Sequence, residues 1–534
     1  MATINHVPEE ILLEIVEYVY LTTADTSNGL PRLGLYNQAE KIANTKSLRL
    51  TCRKLCRLTT RPLFTAVSCS ILDHSSLKRL EHISRYPHLS EHVKTVHFKL
   101  GFYDPILAQD LEGLAKYLLW AWEDFKQPAP GDKAGWEVDE TTEEVAMRRT
   151  LEEWIYLSQN GNRRDRERLL PALLKIQAEY RRRYMVQQNL RKGGSAIRRA
   201  GEAMARMPAA TSLILQDARQ AHAHLGPTLP STLNSAVDLS TLPLSLSWTD
   251  SARLKEERCL CEFTPPFDLI IDIPVAMHRA GVVLTELRIL GMPIPDEVPA
   301  WDAIDPYGWE RHPTNAAALD LTNEIQLSTA SDLAEACSQL QVFQYDPQTE
   351  LVVKDEVQTF LYMFDDTLSR LSKIMEQMCM STHMRRLHLD CLCLDYGSPS
   401  DTEIHYFEAV FASASWPNLE SLHIVNGRLE SGSTLLNLVR DLPRLSHLEL
   451  DTLGLDFYHA EGALEASWSH LLDELKKEEA VAEIERHIGM AFDQEIDGFT
   501  EVDSFFMDVT DMNPVLAVFE SVEMISDLES LSLG

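Results

Sequence analysis

Apolar residues recur at three- and four-residue spacing near the start of the chain. Ile11, Leu12, Ile15, Val16 and Val19 form one broad stripe behind Pro8, Glu9 and Glu10. That spacing predicts an amphipathic helix. Pro8 suits the first helical position, where its missing N–H is no loss, and the two carboxylates lie in the turn that the helix dipole favours for negative charge. Thr22 to Gln38 is polar, contains Gly and Pro, and reads as a loop. A second helical pattern runs from Asn44 to Phe64, with Leu48, Thr51 or Cys52, Leu55 and Leu58 on one face, and Arg61-Pro62 ends or bends it. Gln127 to Glu144 reads as a linker. A long basic helix is predicted from about Arg164 to Arg191, broken near Gly193-Gly194. Leu471 to Ile488 has the spacing of a solvated helix, with Leu472, Leu475 and Ile484 turned inward.

A different pattern recurs later. Leu445, Leu448, Leu450, Leu453 and Leu455 follow L-x-x-L-x-L-x-x-L-x-L, and the spacing returns at Leu419/Leu422/Ile424/Gly427/Leu429, Met384/Leu387/Leu389/Leu392/Leu394 and Leu284/Leu287/Ile289/Met292/Ile294. Weaker copies are Val93/Val96/Phe98, Ala210/Leu213/Leu215, Leu340/Phe343/Tyr345 and Leu528/Leu531/Leu533. The central L-x-L is a short strand with alternating faces, and the flanking apolar residues turn the chain back into the same core. Such a unit cannot bury its apolar face alone, so copies are expected to stack into a parallel sheet. The pattern resembles the leucine-rich repeat. Its period is irregular: 35 residues from Leu387 to Leu422, 26 from Leu422 to Leu448, and 74 from Leu213 to Leu287. The expected fold is therefore α/β, an irregular leucine-rich-repeat-like solenoid with helical insertions.

Charge narrows the choice of partner. The 534 residues carry a net charge of −32, which opposes attraction of the whole surface to nucleic acid or anionic membrane. The charge is unevenly placed: residues 461–534 hold 19 acidic and 3 basic side chains, and residues 163–206 hold 13 basic and 4 acidic. Nine cysteines without paired spacing point to free thiols in a reducing compartment. The most apolar stretch, Phe267 to Leu284, is interrupted by Asp272, Pro274, His278 and Arg279 and is not expected to cross a bilayer. With no secretory leader visible, a cytoplasmic or nuclear location is expected.

The two N-terminal helical segments then carry a resemblance. Val7-Pro8-x-Glu10-Ile11-Leu12 with Ile15-Val16, and later Leu48-x-Leu50-x-Cys52-Arg53-x-Leu55 followed by Arg61-Pro62-Leu63-Phe64, resemble the F-box of fungal type. Residues 1–68 would form that module, with an insertion at about 21–44, and residues 69–534 the leucine-rich body. The resemblance implies a docking surface for a Skp-type adaptor, and through it a cullin, made by Val7, Pro8, Ile11, Leu12, Ile15, Leu48, Leu50 and Cys52. The same residues could instead serve as the internal core of a small helical packet.

No phosphate loop, dinucleotide turn, zinc-protease helix or nucleophile elbow occurs. Cys259-x-Cys261 and Cys391-x-Cys393 lack the spacing for four convergent metal ligands. No metal, cofactor or catalytic residue is expected. Residues interleaved with the strand leucines would face a partner: Arg386, His388 and Asp390, then Ser421, His423 and Val425, then His447, Glu449 and Asp451. The expectation is a non-catalytic substrate receptor of a Skp–cullin–F-box ubiquitin ligase, binding an unidentified protein target. The alternative is a leucine-rich interaction scaffold outside any ligase.

Overall fold

The computed structural model describes residues 7–9, 11–13, 16, 45–125, 142–162, 164, 170–217, 245–246, 268–291, 330–346, 374–390, 415–425, 428–429, 437–451, 454–455 and 485–489. The chain is a mixture of helices and parallel strands divided into two compact units. One comprises Met1–Leu284, Ile289–Pro295 and Pro299–Thr329; the other comprises Thr285–Arg288, Asp296–Val298 and Ala330–Gly534.

In the first unit, the predicted Asn44–Phe64 helix is broken. Residues 45–49 are helical, the chain opens at Leu50–Cys52, and α1 (Arg53–Leu58) and α2 (Thr60–Leu63) follow. Cys52 is the reason for the break: its backbone is extended, and its Sγ accepts the Leu55 N–H at 3.5 Å as the cap of α1. Next come β1 (Ala66–Ser70), α3 (His74–Arg85), α4 (Pro87–Ser90) and β2 (Thr95–Lys99). The Asp73 carboxylate caps α3 by accepting the Ser75 and Ser76 N–H groups. Tyr86 ends α3 in extended backbone, as a residue before proline prefers, and Pro87 opens α4.

The insertion after β2 is helical: α5 (Pro105–Gln109), α6 (Leu111–Phe125), α7 (Thr142–Asn160), α8 (Pro171–Arg191) and α9 (Ser195–Ala205). The basic helix thus starts at Pro171, and it ends where Gly193 and Gly194 adopt φ of 63° and 61°, values that favour glycine. Its buried face holds Leu173, Ile176, Tyr180, Tyr184, Gln187 and Leu190. Gln187 exchanges two hydrogen bonds with the Tyr103 backbone, donating at 2.8 Å and accepting at 2.7 Å, and the Tyr180 hydroxyl accepts the Asp104 N–H at 2.8 Å. This clamp ties α8 to the chain just beyond β2. After β3 (Ser212–Gln216) comes α10 (Asp268–Arg279), and α9 packs between α3 and α10. Among the described residues no helix is long and apolar enough to cross a membrane.

Strands β1, β2 and β3 pair in parallel with Val67, Val96 and Leu213 in register. Alternate residues Val67, Cys69, Val96, Phe98, Leu213 and Leu215 are buried, the period-two signature of a sheet packed on one face. Strand β4 (Glu286–Leu290) contributes to each unit in turn. In the first, the Leu290 carbonyl accepts the Asp217 N–H; in the second, the Thr285 carbonyl accepts the Gln341 and Val342 N–H groups.

The second unit continues with α11 (Ala330–Cys337), β5 (Val342–Asp346), β6 (Arg386–Asp390) and β7 (Ser421–Val425). The short β8 (Arg428–Leu429) follows, then β9 (His447–Asp451), the short β10 (Gly454–Leu455) and β11 (Glu485–Gly489). Strands β5, β6, β7, β9 and β11 pair in that order, all parallel. One joint recurs. The residues entering a strand donate two N–H groups to a carbonyl at the same place on the previous one: Arg385 and Arg386 to Gln341, Glu420 and Ser421 to Arg385, and Ser446 and His447 to Glu420. Lys94 and Thr95 to Thr65, and Thr211 and Ser212 to Lys94, repeat it in the first unit. Each copy is preceded by a buried residue closing a four-residue turn: Val93, Ala210, Leu340, Met384, Leu419 and Leu445. The expected L-x-L strands are therefore present at seven of the eight copies; Leu528/Leu531/Leu533 lies outside the described residues. β1, with the less apolar sequence AVSCS, is an additional strand. Of the helix expected over Leu471–Ile488, residues 471–484 lie outside the described residues, and Glu485–Gly489 is instead strand β11, paired with β9.

Candidate functional site

Two surfaces carry the residues singled out in the sequence. The first is the N-terminal packet. Leu12, Val16, Leu55 and Leu58 form its core, with Val7, Leu48 and Cys52 packed against them. Polar contacts hold the segments together: Lys54 Nζ donates to the Val7 carbonyl at 2.7 Å, Arg57 pairs with Glu9 at 2.6 Å, and Arg49 donates to Thr60 Oγ1 at 3.1 Å. The predicted docking residues therefore divide. Leu12 is 1% exposed and belongs to the core, whereas Ile11 is 45% and Leu50 87% exposed. Pro8 is exposed as well, and Leu13 adds a further exposed apolar side chain. Ile15 lies outside the described residues. Leu50 faces outward because the chain opens at that point, so the helical stripe no longer dictates its direction.

The second surface is the strand face in the second unit. Leu387, Leu389, Leu422, Ile424 and Leu448 point to the core, leaving the interleaved residues on the other face. Register places His388 beside His423 and His423 beside Glu449, and Arg386 beside Ser421 and Ser421 beside His447. Asp390 is buried, Arg386 is exposed, and the side chain of Asp451 is not among those described. The His388 and His423 rings meet edge to face with their Nδ1 atoms 2.7 Å apart. One ring must donate and the other accept, so the contact holds one proton between them and breaks if both Nδ1 atoms are protonated. Burial, and then the Arg288 charge, pushes His388 down to about 4, so it is neutral at pH 7. Glu449 continues the row, 3.6 Å from His423 Nδ1 and 3.7 Å from His447 Nε2.

This is a chain of pairwise contacts running across three strands. Among the described residues no three His, Cys, Asp or Glu side chains converge as metal ligands would. The face can instead give and take directional hydrogen bonds with a protein surface. Two members of the face were missed in the sequence. Arg288 and Gln344 occupy the same interleaved place in β4 and β5 that His388 occupies in β6, and the Leu287/Ile289 and Phe343/Tyr345 copies already marked it.

The buried thiols are not poised for chemistry. Burial pushes Cys69 and Cys337 up to about 12 and raises Cys379 as well, so none is a thiolate at neutral pH. Cys259, Cys261, Cys391 and Cys393 lie outside the described residues. Much of the basic segment is answered internally: Arg182 and Arg183 converge on Glu179, Arg191 meets Asp268 and Arg199 meets Glu81. No protein-family model and no curated protein matches this chain.

Proposed function

We propose that this chain is a non-catalytic substrate receptor of a Skp–cullin–F-box ubiquitin ligase. In this reading the N-terminal packet binds a Skp-type adaptor, and through it a cullin, while the strand face of the second unit binds a protein target. The observation that carries the proposal is the outward placement of Ile11 and Leu50 on the two segments that resemble the F-box, beside a packet whose own core is already filled by Leu12, Val16, Leu55 and Leu58. A fully buried aliphatic side chain contributes roughly 1.5–3 kcal/mol relative to its exposed state, so two such side chains can anchor an interface with a polar rim. Glu9, Arg57 and Lys54 supply polar groups on the same packet. The ligase chemistry belongs to other subunits, and this chain contributes proximity between target and ubiquitin-loaded enzyme.

A pull-down with the purified adaptor tests this reading. The Ile11→Asp/Leu50→Asp variant should keep its helical circular dichroism and thermal midpoint, because neither side chain lies in the core, and should lose adaptor binding. If the wild-type chain fails to bind the adaptor, or the folded variant binds it equally well, the reading is wrong and a leucine-rich scaffold outside any ligase is the better account.

A further inference from the structure

The turns that precede the strands of the second unit present a second group of polar side chains, separate from the histidine row. Each turn closes on a buried apolar residue, Leu340, Met384, Leu419 or Leu445, and the residues flanking it are exposed or half-buried. Successive turns are stacked at the strand spacing of about 4.8 Å, which gathers Gln341, His383, Arg385, Asn418 and Arg444 around an open cleft of about 220 Å³. The lining is two guanidinium groups, an imidazole and two amides, with no carboxylate, in a chain whose net charge is −32. A cationic cleft on so acidic a protein is a local device that selects a small anion, because the surrounding field repels a polyanion.

The charge count narrows the anion further. Arg385 is held by Glu420, which accepts from its Nε at 3.0 Å and its Nη2 at 2.6 Å. Arg444 makes no hydrogen bond or ion pair among the described residues. Among the described residues the cleft thus offers one guanidinium without a carboxylate partner, a planar fork that matches a carboxylate. Gln341 and Asn418 bring amide groups that can complete its hydrogen bonds. We propose that this cleft binds a single carboxylate presented by a protein partner. Its lining has no Phe, Tyr or Trp platform and no glycine-rich loop, features by which nucleotides are held. The proposal is independent of adaptor binding, and its test contains no adaptor.

The test is phenylglyoxal modification of the full chain, read arginine by arginine by mass spectrometry. The probes are N-acetylglutamate amide for a side-chain carboxylate, N-acetylalanine for a chain-terminal one, neutral N-acetylglutamine amide, and inorganic phosphate at matched ionic strength. Expected is saturable protection of Arg444 by a carboxylate probe, about threefold at two-thirds occupancy by simple mass action, with no change at the exposed Arg181. Whichever carboxylate probe acts at lower concentration identifies the source. Glu420→Gln frees Arg385, so in that variant Arg385 should join the protected set and half-protection should need less probe. The proposal is overturned if Arg444 is protected no more than Arg181, if the neutral amide protects equally, or if phosphate acts at lower concentration than both carboxylates.

Discussion

At the scale of single residues, Asp104 shows how one side chain can serve the fold at a cost. It caps α5, its Oδ1 accepting the Ile106 N–H at 2.6 Å, while being 2% exposed. Burial outweighs the backbone donors and raises its carboxyl from 3.8 to about 7. Because the folded-state value is the higher one, the folded chain binds the extra proton. The stabilisation from this proton is complete below pH 3.8 and is lost as pH rises to about 7. Asparagine caps nearly as well and carries no charge. Asp104→Asn should therefore raise the thermal midpoint at pH 8, with a stability gain on the order of 2–4 kcal/mol, and should change little at pH 4. Equal effects at pH 4 and pH 8 would mean that burial does not shift the titration of this carboxyl away from its unfolded value. The Cys69 and Cys337 thiols follow the same logic at the opposite extreme: burial holds them neutral, as befits groups that only pack.

At the scale of elements, α9 packs closely on α10. A Cβ built on Gly201 would lie 2.8 Å from the Ala276 carbonyl oxygen and 3.3 Å from the Ala280 Cβ. Alanine would gain about 1 kcal/mol of helix propensity, yet a backbone carbonyl cannot turn aside as a flexible side chain could, and overpacking costs roughly 1–3 kcal/mol. The clash should win, so Gly201→Ala is expected to lower the thermal midpoint. Gly194→Ala meets open space and pays only for φ of +61°. A Gly201→Ala chain as stable as the wild type would remove close approach as the reason for that glycine.

Elements of this kind were unevenly legible in the sequence. The L-x-L strands were readable because alternation needs only five residues and each copy carried its own turn-closing apolar residue, as in Leu445 before Leu448 and Leu450. The break at Gly193-Gly194 was readable for a local reason too. The opening of the chain at Leu50–Cys52 was not, because Leu48, Leu55 and Leu58 keep a helical phase across it and only the Cys52 cap interrupts the backbone. β11 was hidden for the opposite reason: Glu485–Gly489 has no strand signal of its own and takes its form from pairing with β9. The candidate sites divided likewise. Sequence placed Ile11, Leu12 and Leu50 together as apolar residues of one module, but only packing separates Leu12 in the core from Ile11 and Leu50 outside it. The turn residues around Arg444 carry no motif, because what unites them is their stacking across four copies 26 to 44 residues apart.

At the scale of the whole molecule, charge decides which partners are excluded. The 13 basic residues within 163–206 could by themselves suggest a nucleic-acid surface. Two arrangements oppose it. Glu179, Asp268 and Glu81 engage Arg182, Arg183, Arg191 and Arg199, and the remaining surface contributes to a net charge of −32. Affinity for a duplex grows with the number of phosphates neutralised, each adding about 0.9 to the slope of log K against log salt, so a protein that recruits few free cations has little to release. In an electrophoretic mobility assay at about 150 mM salt, a short duplex should not shift with protein in the low micromolar range, the tight end of ordinary non-specific binding. Binding there with a slope worth about six phosphates or more would show that the basic helix recruits its arginines despite their carboxylate partners. A single carboxylate at the Arg444 cleft escapes this exclusion, since it asks for one cation and meets the long-range repulsion with one charge.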